Sequence, residues 1–426
     1  MILPYRIAYL PLLLASMPYY AWRMAKRGGY SKDFSHRFGL LKNLPEPEPG
    51  KTRIWIQAVS VGEVEALSTL LRLLHESGRY ETVVTTTTST GYGILREKYA
   101  KYCLCVGVFP FDFYPFIRAA WRRIKPDICA LMEGELWPEH MHAAKASGTP
   151  LLLLNARLSD RTFARYKKIG SLARRIFSKL DFVAAGSAPD AERFISLGAD
   201  PSKIENTGNL KFDSKPDALL SGAETAALKR EFGFGAASAV MLGSSTWPGE
   251  EEMLAETLAR LEADARLLLV PRHAERREQI RAALEKTGLP FHFRTSSRQA
   301  PEGTMIYVAD TTGELRTLTQ AADFAFVGKS LPPNKGGQTP IDCAASGVPS
   351  VYGPNMTNFR HVCAALEKAG ASVRARDAED ARAALQKLAS DPDLRAEMGA
   401  RAKAWHSSNI GASARTMRII DRFARK

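Results

Sequence analysis

The stretch Trp55-Ile-Gln-Ala-Val-Ser-Val-Gly-Glu-Val-Glu-Ala66 decides how this chain is read. The apolar run over 54–61 has the length and β-branched content of a buried parallel strand. Gly62 follows, and Leu67, Leu70, Leu71 and Leu74 then recur at helical spacing. Glu63 therefore falls at a strand-to-helix turn, outside the carboxyl end of a strand, where open α/β sheets bind ligands. Two roles fit a carboxylate there. One is a general base aimed into a cleft; the other is an acidic first-turn residue that the helix dipole favours by about 0.3–1 kcal/mol.

Outward from this turn, strand and helix patterns alternate. Strands are predicted over 53–60, 82–89, 106–111, 127–132, 150–155 and 182–185, with helices among them over 116–124, 138–147 and 161–180. Residues 213–237 break the rhythm with Lys, Pro, Ser, Gly and a charged helix. A second series follows, with strands over 239–243, 266–271, 305–308, 324–327, 349–352 and 371–373. Such alternation predicts two α/β domains, each a mostly parallel sheet with helices on both faces, and a cleft between them. The expected boundaries are 43–215 for the first domain, 216–237 for a linker, 238–390 for the second domain and 391–426 for a basic helical tail.

The 426 residues suffice for two domains with their own cores, and 45% apolar with 24% charged residues is ordinary for a folded chain. The formal charge of +14 is not ordinary, and it favours nucleic acid, an anionic membrane surface or a phosphorylated substrate. The basic residues are spread along the chain and no nucleic-acid module appears, so nucleic acid is not expected as a partner. Five scattered cysteines read as buried, reduced thiols. His140 and His142, two apart, point to different faces of a helix, and no metal site is expected.

The N-terminus carries an uncharged run over 7–22, rich in Leu, Tyr and Pro. It is short of the roughly 20 apolar residues of a spanning helix. Arg23, Lys26, Arg27, Lys32, Arg37 and Lys42 follow it, a basic cluster suited to the cytoplasmic side of a membrane. Residues 1–42 are read as a membrane anchor with a basic juxtamembrane segment, or as an interfacial one; a helix packed on the body of the protein is the alternative.

Polar constellations recur where strands end. Glu133 and Glu135 follow one strand, and Lys211 lies in Thr207-Gly-Asn-Leu-Lys-Phe-Asp213. Acidic groups with a facing lysine suit proton abstraction beside a developing charge; surface ion pairs are the ordinary alternative. In the second half, Ser244, Ser245 and Thr246 precede a helix start and form a candidate phosphate loop. Pro271 and Arg272 end a strand, with Arg272 suited to bidentate phosphate contact. Thr312, Gly313 and Glu314 follow another. Gly336-Gly-Gln-Thr-Pro-Ile-Asp342 is a glycine turn entering a helix, where Asp342 can accept from two ribose hydroxyls. Neither a Walker A nor a GxGxxG fingerprint is present, and helix caps with turn glycines account for the same residue types.

In order, the motifs Ala-Val-Ser-Val-Gly-Glu63, Glu133-Gly-Glu-Leu-Trp-Pro138, Asn155-Ala-Arg-Leu-Ser159, Gly208-Asn-Leu-Lys-Phe-Asp213, Val270-Pro-Arg-His273 and Asp310-Thr-Thr-Gly-Glu-Leu315 resemble the bacterial 3-deoxy-D-manno-octulosonic acid (Kdo) transferases. The resemblance covers nearly the whole chain. It implies a GT-B architecture: two Rossmann-like domains, the first binding the acceptor and the second the CMP-sugar. It implies inverting transfer of Kdo from CMP-Kdo to a lipid A precursor at the cytoplasmic face of the inner membrane, without metal or cofactor. By motif, Glu63 is then the base, Glu133 and Lys211 stabilise the transition state, and Pro271, Arg272, Thr312, Gly313 and Glu314 hold CMP. The loop with Thr339, Pro340, Ile341 and Asp342 belongs to the same nucleotide site. Here the chain departs from the family pattern Gly-Gly-His-Asn-x-x-Glu: Gln338 cannot become cationic, Thr339 replaces an amide and Asp342 is one methylene shorter. Trp247 stands where a histidine is common. These departures keep two rivals open: a GT-B transferase with a different sugar nucleotide, and an inactive nucleotide-binding membrane protein.

Overall fold

The computed structural model describes residues 2–27, 33–41, 44–213 and 219–424. The chain folds into two compact units, Met1–Ser214 with Asn409–Lys426, and Lys215–Ser408. The first unit holds β1 (Thr52–Gln57), β2 (Tyr80–Thr86), β3 (Cys105–Val108), β4 (Ile128–Met132), β5 (Leu151–Ala156), β6 (Phe182–Ala185) and β7 (Ile204–Asn206). Their order is β3-β2-β1-β4-β5-β6-β7, and every pairing is parallel. Helices cover both faces, which is why β1, β4 and β5 are buried from end to end and read as near-continuous apolar runs. One face packs Ile54, Ile56, Leu70, Leu71 and Leu74 together; the other packs Leu131, Leu151, Leu153, Phe177 and Phe194.

The second unit repeats the scheme with β8 (Ala239–Thr246), β9 (Ala265–Pro271), β10 (Phe291–Phe293), β11 (Ile306–Val308), β12 (Phe324–Val327), β13 (Ser350–Tyr352) and β14 (Ser372–Arg374). The order is β10-β11-β9-β8-β12-β13-β14, again all parallel. Each sheet thus has a point where the strand order reverses: between β1 and β4 in the first, between β8 and β12 in the second. The crevice outside the strand ends at such a point is where doubly wound sheets bind ligands.

Several elements depart from the sequence reading. β7 and β10 were not foreseen; each is three residues long and only partly buried, so the apolar run is too short to register. The expected helix over 161–180 is two helices, Asp160–Lys168 and Gly170–Phe177, parted at Ile169. The C-terminal residues divide: the helix Pro392–Asn409 runs in the second unit up to Ser408, and Ala412–Phe423 returns to the first. There Ala412, Ile419 and Ile420 enter the core beside Leu67 and Leu70.

The N-terminal segment is the helix Ile2–Arg27, with Pro11 and Pro18 inside it. Among the described residues no helix is long and apolar enough to cross a membrane. Prolines, tyrosines and serine dilute the apolar run. The start of this helix is fastened to the first unit: the Tyr5 hydroxyl donates to Asp112 Oδ2 at 2.7 Å, Arg6 Nε donates to Glu139 Oε2 at 2.9 Å, and Tyr9 stacks on Phe113. Burial pushes Asp112 up to about 6, against three hydrogen bonds that lower it. Leu3, Ile7, Leu12, Leu14, Tyr19 and Trp22 remain exposed. The expected basic cluster changes too. Arg37 is buried, its guanidinium donating to the carbonyls of Phe109 and Thr87, so it belongs to the fold rather than to a membrane-facing surface. Lys32, Lys42 and the side chains of Arg23, Lys26 and Arg27 lie outside the described part.

Candidate active site

In the first unit, β1 ends at Gln57 and the helix Val61–Ala66 begins four residues after it, capped by Ser60, whose hydroxyl accepts from Glu63 N. Glu63 is the third residue of that helix and is 6% exposed. Its Oε2 accepts from Val59 N at 2.8 Å and its Oε1 from the Ser60 hydroxyl at 2.9 Å. Burial pushes this carboxyl up to about 7, with the charges of Glu133 and Glu135 adding to the rise and the two hydrogen bonds opposing it. A carboxylate that exchanges its proton near neutrality is matched to general-base work.

On the other side of the switch point, Glu133 follows β4 directly, with φ at 55°. This left-handed backbone is uncommon for a residue with a side chain, and such outliers cluster at functional sites. The turn is locked into β5, since Glu133 N donates to Leu154 O at 2.9 Å and Arg157 N to Glu133 O at 3.3 Å. The Glu133 carboxylate accepts from Lys211 Nζ at 2.9 Å and lies 3.7 Å from Arg157. Burial, then Glu133, raises Glu135 as well.

Lys211 sits on the short turn Leu210–Asp213, pinned from two sides. Leu210 N donates to Asn155 Oδ1 at 3.0 Å; Asn155 is fully buried at the end of β5, with φ at 50°. Asp213 accepts from Gly411 N at 2.6 Å and from Ser413 N, at the start of the returning C-terminal helix. The sequence-derived trio Glu63, Glu133 and Lys211 thus lies in one unit, and two of the three touch. Asn155 and Asp213 carry no chemistry of their own in the sequence reading, although both lie in motifs quoted there.

In the second unit, the loops after β8 and β12 are fastened by one buried carboxylate. Glu250 accepts from the N–H groups of Trp247 (2.9 Å), Lys329 (2.8 Å), Ser330 (2.9 Å) and Leu331 (3.3 Å). Burial raises its pKa while these bonds lower it. A Cβ on Gly328 would meet Ser245 O at 2.4 Å, so only glycine allows the two loops to approach this closely. Ser244, Ser245 and Thr246 are the last residues of β8 and are buried; the N–H that follows them, from Trp247, is bound to Glu250.

Pro271 ends β9, and Arg272 extends from it with its side chain exposed. Thr312 and Gly313 lie exposed beyond β11. The Glu314 carboxylate accepts from Arg294 Nη2 at 2.8 Å and from Thr311, and these contacts hold its pKa below the usual range despite burial. Asp342 accepts from Arg316 Nε at 3.1 Å, and Thr339 Oγ1 accepts from Ile341 N at 3.2 Å. Pro340 caps the helix Ile341–Ser346. Gln338 N donates to Gly328 O at 3.0 Å, which brings the 336–342 loop against the loop after β12. A cavity of about 810 Å³ in the first unit lies elsewhere, among Arg6, Arg118, Arg122, Asp127 and Pro150, by the starts of β4 and β5.

Two successive doubly wound units with polar residues at their switch points define a GT-B protein. The fold is shared with UDP-GlcNAc 2-epimerase from Neisseria meningitidis, solved bound to UDP-GlcNAc: TM-score 0.62 at 12% identity, over 87% of this chain and 100% of that one. The family described as 3-Deoxy-D-manno-octulosonic-acid transferase (kdotransferase) matches residues 32–214. The 3-deoxy-D-manno-octulosonic acid transferase of Bordetella pertussis is 32% identical over 94% of each chain, and that of Haemophilus influenzae is 29% identical over 98% of each. The chain belongs to the 3-deoxy-D-manno-octulosonic acid transferase family, and it is a glycosyltransferase.

Proposed function

We propose that the protein transfers Kdo from CMP-Kdo to a hydroxyl of a lipid A precursor, with inversion, and that Glu63 is the base. The observation that carries this reading is the Glu63 carboxyl, buried and raised to about 7 in the unit that also holds the Glu133–Lys211 pair. In the proposed step, Glu63 takes the proton of the acceptor hydroxyl as its oxygen forms a bond to the anomeric carbon. The bond from that carbon to the phosphate oxygen breaks, and CMP leaves with the electron pair. One displacement inverts the centre and needs no carboxylate nucleophile. Lys211, held by Glu133, supplies positive charge near the reacting groups. Pro271, Arg272, Thr312, Gly313, Glu314 and the 339–342 segment hold CMP, with Asp342 steadied by Arg316 for the ribose hydroxyls.

The acceptor is an anionic lipid, and two features of the first unit support work at an anionic inner-membrane surface, on its cytoplasmic face. The helix Ile2–Arg27 presents Leu3, Ile7, Leu14 and Trp22 to solvent. Ile169 and Leu172 are likewise exposed, among Arg165, Lys167, Lys168 and Arg175. Apolar side chains flanked by cations suit the headgroup region of an anionic leaflet.

The test is incubation with CMP-Kdo and tetraacylated lipid A precursor in anionic vesicles, read by mass spectrometry of the lipid and by CMP release. Kdo-bearing lipid is expected; no product and no CMP from folded protein sinks the reading. Gln338 and Trp247, which depart from the family pattern, favour one rival, a different sugar nucleotide. Greater thermal stabilisation by UDP or GDP than by CMP would turn the assignment that way.

A further inference from the structure

We propose that Lys329, which the family motifs leave without a role, is the cation that meets the phosphate of the donor nucleotide; this rests on the nucleotide-sugar reading above. Lys329 lies two residues beyond β12, at the switch point of the second sheet. Its φ is 59°, a left-handed conformation that glycine adopts freely and lysine rarely does. The surroundings enforce it. Lys329 N donates to Glu250, Gly337 N donates to Lys329 O at 3.1 Å, and Gly328 lets the whole turn press against Ser245 and Thr246. A long cationic side chain kept on a backbone made for glycine is the kind of outlier that marks a functional position.

Where that side chain goes sharpens the assignment. Lys329 Nζ lies 4.4 Å from the centre of the Trp247 ring, and Trp247 packs edge-on against His273 at 5.2 Å. His273 follows Arg272, so the tryptophan links the loop after β12 to the loop after β9. Three arginines of this region are neutralised: Arg277 by Asp310 at 2.6 Å, Arg294 by Glu314, Arg316 by Asp342. Among the described residues Lys329 forms no ion pair with a carboxylate, and Arg272 lies with its side chain exposed, near the charge of Glu275. A cation held at the carboxyl edge of a parallel sheet, on an aromatic ring that packs against the residue next to Arg272, forms a site for a phosphate group. Gln338 N donates to Gly328 O, so the loop that carries the neutral Gln338 lies against the one that carries Lys329.

The experiment is calorimetric titration of CMP and of cytidine into the full-length protein and into Lys329→Met, Lys329→Arg and Lys329→Gly. Loss of one charge-assisted contact is expected to weaken CMP about tenfold or more in Lys329→Met, while cytidine is unchanged. Lys329→Arg should keep most of the affinity. Lys329→Gly should lose it with no loss of thermal stability, which separates the charge from the fold. CMP binding by Lys329→Met at wild-type strength, or an equal fall for CMP and cytidine, overturns the proposal. If the wild-type chain prefers UDP or GDP, the donor assignment fails and Lys329 is judged on that nucleotide against its nucleoside. If the wild-type chain binds no nucleotide, both readings fall.

Discussion

Glu63 and Glu250 occupy the same place in their two sheets: each stands in the first turn of the helix that follows the first strand of its unit, at the switch point. Both are buried, and burial raises both. Their surroundings separate them. Glu250 receives four backbone N–H groups and ties two loops together. Glu63 receives one N–H and one hydroxyl and has two acidic neighbours, so it stays ready to take a proton near neutral pH. A saturated buried carboxylate suits a structural tie; an under-saturated one beside like charges suits the proposed base.

Substitution at the two positions is the most direct way to break this contrast. Glu63→Ala is expected to lower kcat by roughly 10³-fold, within the range for losing a general base, while CMP affinity measured by calorimetry stays the same. A parallel loss of CMP binding or of folding would make Glu63 structural and erase the contrast. Glu250→Ala should do the opposite, destabilising the protein by about 3 kcal/mol in thermal or urea unfolding, because several buried N–H groups lose their acceptor.

The pH dependence sharpens the same point. With Glu63 at about 7, kcat/KM should rise as pH passes through 7 and level off above it. The sign for stability is the reverse. A carboxyl whose folded pKa exceeds its unfolded value favours the fold at low pH, and that support fades between about 4.5 and 7. Glu63→Gln should therefore gain on the wild type with rising pH, by at most roughly 3 kcal/mol at pH 8, in paired denaturant titrations.

Lys211→Met leaves Glu133 with only the more distant Arg157, and kcat is expected to fall about 10²-fold with little change in donor affinity. An unchanged kcat would confine the machinery to Glu63. The smallest effect is expected at Asn155→Ala, which frees Leu210 N and loosens the Lys211 turn: about tenfold in kcat, with KM for CMP-Kdo unaltered.

How much of this was legible in the sequence varies by element. Strands buried on both faces, such as β1, β4 and β5, announce themselves because an apolar run of that length has nowhere else to go. The three-residue β7 and β10 do not, since edge strands are held by backbone pairing that any side chain permits. Glu63, Glu133 and Lys211 stood out because charged residues next to strand ends are conspicuous. Asn155 did not: a buried amide acts through a hydrogen bond to Leu210, fifty-five residues on, and no local pattern encodes that partner. Arg37 misled for a related reason, because a cation in a basic run gives no sign that Thr87 and Phe109 carbonyls await it.

The sequence by itself determined the two parallel α/β series, the positions of Glu63, Glu133 and Lys211, and the family, because apolar periodicity and motif spacing are properties of the chain read in order. Only the tertiary structure decided which carboxylate is tied down and which can work. It also set the Asp213 carboxylate against the start of the returning C-terminal helix and left Lys329, among the described residues, a cation on an aromatic ring with no carboxylate in an ion pair. Those properties depend on how many donors reach a group from distant parts of the chain, and that number exists only once the chain has folded.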